Sequence, residues 1–345
     1  METIDLRSDF LARPSAAMLA AAAAAESSRH FGLREDPWQR RLEARVAELV
    51  GMEDALVFPT CTMANTTALM LGAPPGSRVV TQDEAHVLIS EAGAGAAFGG
   101  LVLSSVGVPG AMPPLAAWER AFGDGGDAQR PPVRLCVLEN THNRSGGVPL
   151  QRGDVAAVVA LARGRGVGLH LDGARLFDAA CALAAKPAAL AAGFDSVSVS
   201  FNKGFGAPIA AALAGSAAAI EAALVIRQRL GGGIRPTGPA AAATLAGLED
   251  FSHFAEVHAL ARRLAAGLSA QAGLSVEEAP LRTNMVIARS PAPDDALGLC
   301  TRLAARGLLA LPFDKQRIRF VVYRGITAGH VEHALAIASD VLSAA

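Results

Sequence analysis

The fold is decided by residues 196–208, which read Ser-Val-Ser-Val-Ser-Phe-Asn-Lys-Gly-Phe-Gly-Ala-Pro. Polar and apolar residues alternate up to Phe201, as is typical of a strand, and the run ends at Asn202-Lys203-Gly204. Only three of the chain's 31 lysines and arginines are lysines. A lysine after an apolar strand is suited to forming an imine, because burial disfavours its charged form and frees the amine as a nucleophile. The ordinary alternative is a surface lysine in a turn.

Short apolar runs alternate with helical segments on both sides of this stretch. The predicted strands cover residues 55–58, 78–81, 101–106, 133–138, 168–171, 196–201 and 209–214. The helices predicted before and between them cover residues 15–26, 38–50, 62–71, 152–165 and 187–192. This alternation predicts an α/β fold with a mostly parallel seven-stranded sheet buried on both faces. Active sites of such sheets lie at the carboxyl ends of the strands.

The pattern changes after the glycine-rich segment 231–238. A long helical region over about 239–271 is followed by a mixture of short strands and helices. The strands are predicted near 274–278, 284–289, 309–313 and 317–323, and the helices near 293–306 and 328–344. We therefore predict an N-terminal arm and helix (1–30), a large domain (31–245) and a smaller C-terminal α+β domain (246–345).

The composition bounds the partners. The net charge is −1 and there is no basic block, which argues against a nucleic-acid partner. The charge-free stretch Gly204–Ile220 contains Pro208 and is too short for a convincing membrane span. Residues 16–25 resemble a signal-peptide core in composition only, because acids and Pro14 precede them, and we interpret them as a helix.

The cysteines indicate the compartment. They are widely spaced and form no Cys-x-x-Cys pair: Cys61, Cys136, Cys181 and Cys300. This pattern favours reduced thiols in a cytoplasmic protein over a disulfide framework or a zinc site.

Polar segments fall where four of the predicted strands end: residues 59–65, 83–86 with Glu91 beyond, 139–147 and 170–175. The first enters a helix, whose free N–H groups and dipole suit a phosphate. The second ends in His86, and the fourth contains Asp172 and Arg175. These three segments have ordinary alternatives, namely an N-cap, a structural histidine and an Asp–Arg ion pair. In the third segment, the six polar residues packed after strand 133–138 favour a site.

Asp172 and Lys203, about thirty residues apart at two strand ends, together suggest pyridoxal phosphate. That cofactor needs a lysine for its Schiff base and an acid to keep its pyridine nitrogen protonated. It also needs a phosphate cup and often a ring over its face, which the loop at 60–65 and His86 would provide.

Two other patterns are set aside. Residues 93–99 resemble a dinucleotide-binding loop, but their spacing is wrong for Gly-x-Gly-x-x-Gly and no convincing strand–turn–helix context surrounds them. His170-x-Asp172 could suggest a metal, but no third ligand follows at a recognisable spacing, so we expect no metal.

These residues resemble those of the low-specificity L-threonine aldolases, in the β-eliminating-lyase branch of the fold-type-I pyridoxal-phosphate enzymes. The resemblance covers nearly the whole chain and rests on eight motifs in order, each of which could arise by chance alone. They are Asp5-Leu-Arg-Ser-Asp9, Gly32…Glu35-Asp-Pro37, Thr62-Met-Ala-Asn65, Glu84-Ala-His86, Glu139-Asn-Thr-His-Asn143, His170-Leu-Asp-Gly-Ala-Arg175, Lys203-Gly-Phe-Gly-Ala-Pro208 and Gly231-Gly-Gly-Ile-Arg235.

The resemblance implies how the cofactor would be held. Lys203 would carry it as a Schiff base, and Asp172 would pair with its pyridinium nitrogen. Cys61 and Thr62 would occupy the phosphate cup, and His86 would stack on the ring.

The resemblance also implies a substrate clamp and a subunit interface. Ser8, Arg175 and Arg319 would bind the substrate carboxylate, with Arg175 also near the ring's phenolic oxygen; a guanidinium suits that planar group. Arg235 would reach the phosphate of a neighbouring subunit, because family sites form across the interface of a homodimer or homotetramer. For Arg319 and Arg235, a strand-edge or loop arginine remains the alternative.

The implied activity is cleavage of a β-hydroxy-α-amino acid to glycine and an aldehyde. Threonine and allo-threonine are the default substrates, and phenylserine is a bulkier one. The base must titrate near neutral pH, so His86, His142 or an activated water is expected. We favour His86 for stacking with a base role, and His142 for orienting the hydroxyl. Two alternatives remain open: β-elimination or racemisation with the same cofactor, and a binding module without activity.

The chain departs from the family pattern at three places. Thr60-Cys61 replaces Ser-Gly, Phe31-Gly32 replaces Tyr-Gly, and Tyr323-Arg324 replaces Thr-His. We expect these changes to affect the preference for the substrate side chain and to leave the cofactor unchanged.

Overall fold

The computed structural model describes residues 3–25, 31–123, 127–271, 273–279, 281–290 and 295–343. Its strands are β1 (Ile4–Asp5), β2 (Asp54–Phe58), β3 (Arg78–Thr81), β4 (Val102–Ser105), β5 (Val133–Glu139), β6 (Gly168–Gly173), β7 (Ser196–Ser200), β8 (Ala211–Gly215), β9 (Ser275–Val276), β10 (Met285–Arg289), β11 (Leu308–Leu309), β12 (Leu311–Pro312) and β13 (Arg317–Val321).

A 3₁₀ turn at Asp9–Leu11 precedes the helices. These are α1 (Ala16–Ala24), α2 (Pro37–Val50), α3 (Cys61–Gly72), α4 (His86–Ile89), α5 (Ala94–Gly99), α6 (Leu115–Phe122), α7 (Arg152–Gly164), α8 (Leu176–Ala182), α9 (Pro187–Ala191), α10 (Ala217–Arg229), α11 (Gly238–Gly247), α12 (Ser252–Ser269), α13 (Ala296–Ala305) and α14 (Ala328–Ser343).

The centre of the molecule is a seven-stranded sheet in the order β2-β8-β7-β6-β5-β3-β4. Strand β8 runs antiparallel to both of its neighbours, and the other neighbouring pairs are parallel. The predicted mostly parallel sheet is therefore confirmed. Strands β5, β6 and β7 lie side by side, so their carboxyl ends bring residues distant in sequence to one edge.

Helices cover both faces of the sheet. On one face Leu42 and Val46 of α2 share a buried core with Val57 of β2. On the other face Ala64 and Ala68 of α3 pack with Leu56 and Phe58 of the same strand. Because successive strand residues point to opposite faces, a strand buried on both sides is apolar almost throughout.

A second core lies in the C-terminal part of the chain. Strands β12, β13, β10 and β9 form an antiparallel sheet that packs with α12, α13 and α14. Ile4 and Leu6 belong to this core, because β1 pairs in parallel with β11. The division of the chain at about residues 30 and 245 stays a prediction.

Three predicted elements differ from the structure. The helical region 239–271 is two helices, interrupted where the Asp250 side chain accepts hydrogen bonds from Ser252. The strand near 309–313 is two short strands, β11 and β12. Helix α1 ends at Ala24, and residues 26–30, at the end of the predicted N-terminal part, lie outside the described residues.

Within these described ranges, none of the helices combines the length and the apolar character needed to cross a membrane.

Gly173 at the end of β6 provides a test of the strand spacing beside the site. A Cβ atom at this position would lie 2.6 Å from the carbonyl oxygen of Ser198 on β7. The new methyl group can be accommodated only if the backbone of β6 or β7 moves. We therefore expect Gly173→Ala to lower the free energy of unfolding, measured by urea denaturation, by about 1–3 kcal/mol. Gly153→Ala in α7 is the matched control, since its Cβ would meet no atom within 4 Å. Equal stability of the two variants would contradict this account.

Candidate active site

The polar residues at the strand ends line one cavity of about 310 Å³. Six of the residues predicted from the sequence lie around it: Ser8, His86, Asp172, Arg175, Lys203 and Arg319. Residues of the N-terminal segment and of β12 close the cavity from the side of the C-terminal core.

Lys203 follows β7 and is 6% exposed. Its Nζ lies 5.4 Å from the centre of the Phe10 ring and, among the described residues, forms no ion pair with a carboxylate. A buried amine without a fixed acidic partner is available to react with a carbonyl group.

Asp172 is the fifth residue of β6 and is held by hydrogen bonds. Its Oδ2 accepts from Asn65 Nδ2 at 2.9 Å, and its Oδ1 accepts from the backbone N–H of Ala174 at 3.1 Å. Asn65 Nδ2 also donates to Glu91 Oε1 at 2.8 Å, and its Oδ1 accepts from Ser198 Oγ at 2.6 Å. Asn65 belongs to one of the sequence motifs, but no pattern in the sequence predicts this bridging role.

His86 stands at the start of α4, between two carboxylates. Its backbone N–H donates to Glu139 Oε2 at 2.6 Å, and its Nδ1 lies 2.8 Å from Glu91 Oε1. Burial opposes the charged imidazole, but the Glu91 hydrogen bond together with Asp172 and Glu139 raises the pKa of His86 above its usual value. Burial likewise raises the pKa of Glu91.

One ligand atom each from His86, Glu91 and Asp172 lies within 4.8 Å of the others, the only such group of three donors in the described part of the chain. The hydrogen bonds from Asn65 to both carboxylates, and from His86 to Glu91, account for this grouping.

Arg175 is already paired within the protein. Its Nε and Nη2 donate to the two carboxylate oxygens of Asp9 at 2.7 and 2.8 Å, and Asn284 donates to the same carboxylate at 3.1 Å. Burial would raise the pKa of Asp9, but Arg175 outweighs it and holds that pKa at about 2. Asp9 belongs to the first sequence motif, but the sequence carries no signal for its pairing with Arg175.

Arg319 on β13 is a buried cation whose charge is not balanced. It donates to Asn143 Oδ1 at 2.8 Å and to the Arg7 carbonyl at 2.9 Å. Within the described ranges its Nε has no hydrogen-bond partner and no carboxylate lies within 4.0 Å. Burial and the neighbouring Arg175 lower its pKa to about 10. Such a group is stabilised by an anion entering the cavity.

His142 is not brought to the cavity. It is buried, with Nδ1 2.8 Å from Ser145 Oγ and Nε2 3.1 Å from the Asp83 carbonyl oxygen. Its backbone N–H donates to Val148, so it closes the turn after β5. Of the two histidines that the sequence left open as bases, only His86 lines the cavity.

Cys61 and Thr62 begin helix α3. The N-cap Thr60 accepts through Oγ1 from Met63 N–H at 3.0 Å, which leaves the N–H groups of Cys61 and Thr62 without partners among the residues described. Burial and Asp172 raise the pKa of the Cys61 thiol to about 12, so it stays protonated. The helix end presents N–H groups and a positive dipole, as a phosphate requires.

Arg235 and the two remaining departures from the family pattern do not line the cavity, and neither do Cys61 and Thr62. Arg235 is exposed and donates to the Phe31 carbonyl at 3.1 Å, with its guanidinium 5.1 Å from that ring. Tyr323 packs against the C-terminal core. The effect of Phe31, Tyr323 and Arg324 on substrate preference stays a prediction.

A lysine and an aspartate at the ends of adjacent parallel strands, in a mostly parallel α/β sheet, are the arrangement of the fold-type-I class. Solved structures share this fold. A threonine aldolase from Leishmania major matches with a TM-score of 0.83 at 18% identity, over 98% of this chain and 99% of that one. The serine palmitoyltransferase of Sphingomonas wittichii matches with a TM-score of 0.77 at 18% identity, over 99% and 88%.

The family follows from the sequence comparisons. The model of the beta-eliminating lyase family matches residues 5–291. Low-specificity L-threonine aldolase 1 of Arabidopsis thaliana is 37% identical over 342 residues, 97% of this chain and 95% of that protein. Low specificity L-threonine aldolase of Escherichia coli (strain K12) is 33% identical over 310 residues, covering 89% and 90%. The chain belongs to the beta-eliminating lyase family, and the predicted fold class is confirmed.

His170 on β6 gives a pH-dependent prediction. It is fully buried between Ser196 Oγ and Asn65 Oδ1, and burial lowers its pKa to about 4. In the unfolded chain His170 binds a proton below about pH 6.5, whereas in the folded chain it does so only below about pH 4. The free energy of unfolding therefore falls as the pH drops through this window. We expect a loss on the order of 3 kcal/mol between pH 7 and pH 4.

The measurement is urea unfolding at several pH values, with His170→Gln for comparison. The variant is expected to be less stable at pH 7 and to lack this part of the pH slope. Identical slopes for the two proteins between pH 7 and pH 4 would contradict the prediction.

Proposed function

We propose that this protein is a pyridoxal-phosphate-dependent lyase that cleaves the Cα–Cβ bond of β-hydroxy-α-amino acids, giving glycine and an aldehyde. The observation that carries the proposal is the shared cavity of Lys203, Asp172 and the unbalanced cation Arg319. The names of the two relatives above, both threonine aldolases, support it.

The residues fit pyridoxal phosphate. The Lys203 amine would bind its aldehyde carbon, and the Asp172 carboxylate would hold the proton on its pyridine nitrogen. The N–H groups of Cys61 and Thr62 would take its phosphate. When bound, the cofactor supplies an electron sink for the electron pair left on Cα.

The chain's own residues would bind and orient the amino acid. Arg319 would take the carboxylate, with Ser8 beside it, and this contact neutralises the buried guanidinium. Arg175 lines the same wall, where its pair with Asp9 fixes the guanidinium plane. The substrate would therefore be oriented by two arginines: Arg319, whose charge no carboxylate of the described residues balances, and Arg175, whose charge Asp9 balances.

His86 is the proposed base. In the neutral ring, Nδ1 faces the Glu91 carboxylate and carries the hydrogen, which leaves the Nε2 lone pair for the β-hydroxyl proton. His142 would act indirectly: its turn carries Asn143, whose Oδ1 accepts from Arg319. Cleavage of Cα–Cβ then releases the aldehyde, and a proton returned to Cα gives glycine.

We also propose a homodimer or homotetramer in which Arg235 reaches the phosphate site of a neighbouring subunit. In its own chain Arg235 is exposed and does not line the cavity. A second depression of about 540 Å³ lies beside Thr62 and contains Phe98, which is 62% exposed. The cytoplasm is the proposed compartment, supported by four cysteines that form no disulfide.

The reaction is tested with a panel of threonine, allo-threonine, phenylserine and serine. Protein incubated with pyridoxal phosphate should release glycine, measured by amino-acid analysis, and an aldehyde, measured with a coupled dehydrogenase. Lys203→Ala should lose steady turnover and the borohydride-stable link to the cofactor, whereas the exposed Lys186→Ala should keep both. Pyruvate and ammonia without glycine from any substrate would contradict the proposal in favour of β-elimination.

Arg319 is tested by separating binding from turnover. Arg319→Leu should raise KM for the amino acid and lower kcat/KM by about 10–100-fold, since a charge-assisted contact is lost. Arg289→Leu is the control: it lies on β10 opposite β13 and pairs with Glu277 outside the cavity. An unchanged KM in Arg319→Leu would place the carboxylate elsewhere.

A further inference from the structure

The backbone that follows Lys203 is held by helix α12, which comes from the C-terminal part of the chain. His253 in the first turn of α12 has its Nε2 3.1 Å from the Gly204 carbonyl oxygen. The neighbouring ring of Phe254 packs so closely that a Cβ atom on Gly204 would lie 2.6 Å from it. Gly204 therefore contacts this helix through both a hydrogen bond and a ring.

Phe205, the next residue, is surrounded by rings. Its ring centre lies 5.2 Å from Phe177, 5.4 Å from Phe251, 5.6 Å from His253 and 5.2 Å from Phe254, in each case edge to face. Edge-to-face pairs at these distances are attractive beyond the area they bury. Phe205 is 1% exposed, so this packing leaves the segment after Lys203 little freedom.

The hydrogen bond to Gly204 has a defined direction. A carbonyl oxygen only accepts, so Nε2 of His253 carries the hydrogen. Its Nδ1 is buried without a partner in the described part of the chain. Burial and the nearby Arg324 lower the pKa of His253, which keeps the ring neutral. The positive charge of Arg324, which does not line the cavity, therefore favours the neutral form of His253.

We propose that His253 is a positioning residue, which sets the orientation of the Lys203 amine by fixing the carbonyl group of Gly204. The proposal rests on the function proposed above for Lys203. Without the imidazole, the Gly204 carbonyl would be buried and unpaired, and the peptide would rotate to find another donor. That carbonyl group belongs to the Gly204–Phe205 peptide, which only the Cα atom of Gly204 separates from the Lys203–Gly204 peptide. A rotation there would change the backbone angles of Gly204, and with them the direction of the Lys203 side chain.

The first experiment needs no cofactor. Backbone hydrogen exchange of residues 204–207 is followed by mass spectrometry in the full-length protein, where Gly206 N–H bonds to Lys203 O and Ala207 N–H to Phe201 O. His253→Leu should speed exchange here about five- to tenfold, as expected for the loss of one hydrogen bond. His253→Gln, which keeps an N–H donor, should exchange at the wild-type rate.

Val257→Ala is the matched control, because it removes buried atoms from the same helix in the C-terminal core without touching residues 204–207. It should lower overall stability and leave local exchange unchanged. If His253→Leu does not fold, His253→Asn, whose shorter side chain withdraws the donor, carries the same expectation. Exchange in His253→Leu or His253→Asn no faster than in Val257→Ala, or His253→Gln as fast as His253→Leu, would overturn the proposal.

The second experiment uses protein loaded with pyridoxal phosphate. The pH midpoint of the cofactor's visible absorbance should shift in His253→Leu and stay at the wild-type value in His253→Gln and Val257→Ala. An unshifted midpoint in His253→Leu would overturn the positioning role. If the wild-type protein gains no absorbance with the cofactor, the proposed function fails, while the exchange result still decides whether His253 holds the segment.

Discussion

The ion pair between Asp9 and Arg175 is the interaction on which the site depends. It joins the N-terminal segment to the end of β6, and both groups are almost fully withdrawn from water. A buried pair of this kind contributes little net stability, but removing one partner leaves the other charge uncompensated. Because Arg175 is neutralised in this way, Arg319 remains a buried arginine of the cavity without a carboxylate partner among the described residues, and the proposed function assigns the substrate carboxylate to it.

The sheet and its two main site residues could be predicted from the sequence. Alternating apolar runs and helices specify a parallel sheet, whose geometry places Asp172 and Lys203 at one edge. The network around them could not be predicted. Asp9 is 166 residues from Arg175, and the Asn65 contact to Asp172 spans 107 residues. Such contacts depend on tertiary packing, which leaves no local pattern in the chain.

The different positions of His142 and His86 also depend on tertiary structure that the sequence does not reveal. Both histidines follow a predicted strand and both belong to a recognisable motif, so the sequence alone does not distinguish which of them lines the cavity. What separates them is the hairpin-like turn after β5, which directs His142 toward Ser145 and away from the cavity. The interruption of the helical region at residue 250 has a similar origin, since a side-chain hydrogen bond to Ser252 competes with the helix there.

The pairing of β1 with β11 has a consequence for synthesis of the chain. Ile4 and Asp5 are synthesised before the whole central sheet, whereas their strand partners Leu308 and Leu309 are synthesised after it. The wall of the cavity that contains Ser8 is held in place through this pairing. A growing chain can therefore form its central sheet before Leu308 and Leu309 are synthesised, but it completes this wall of the cavity only after them.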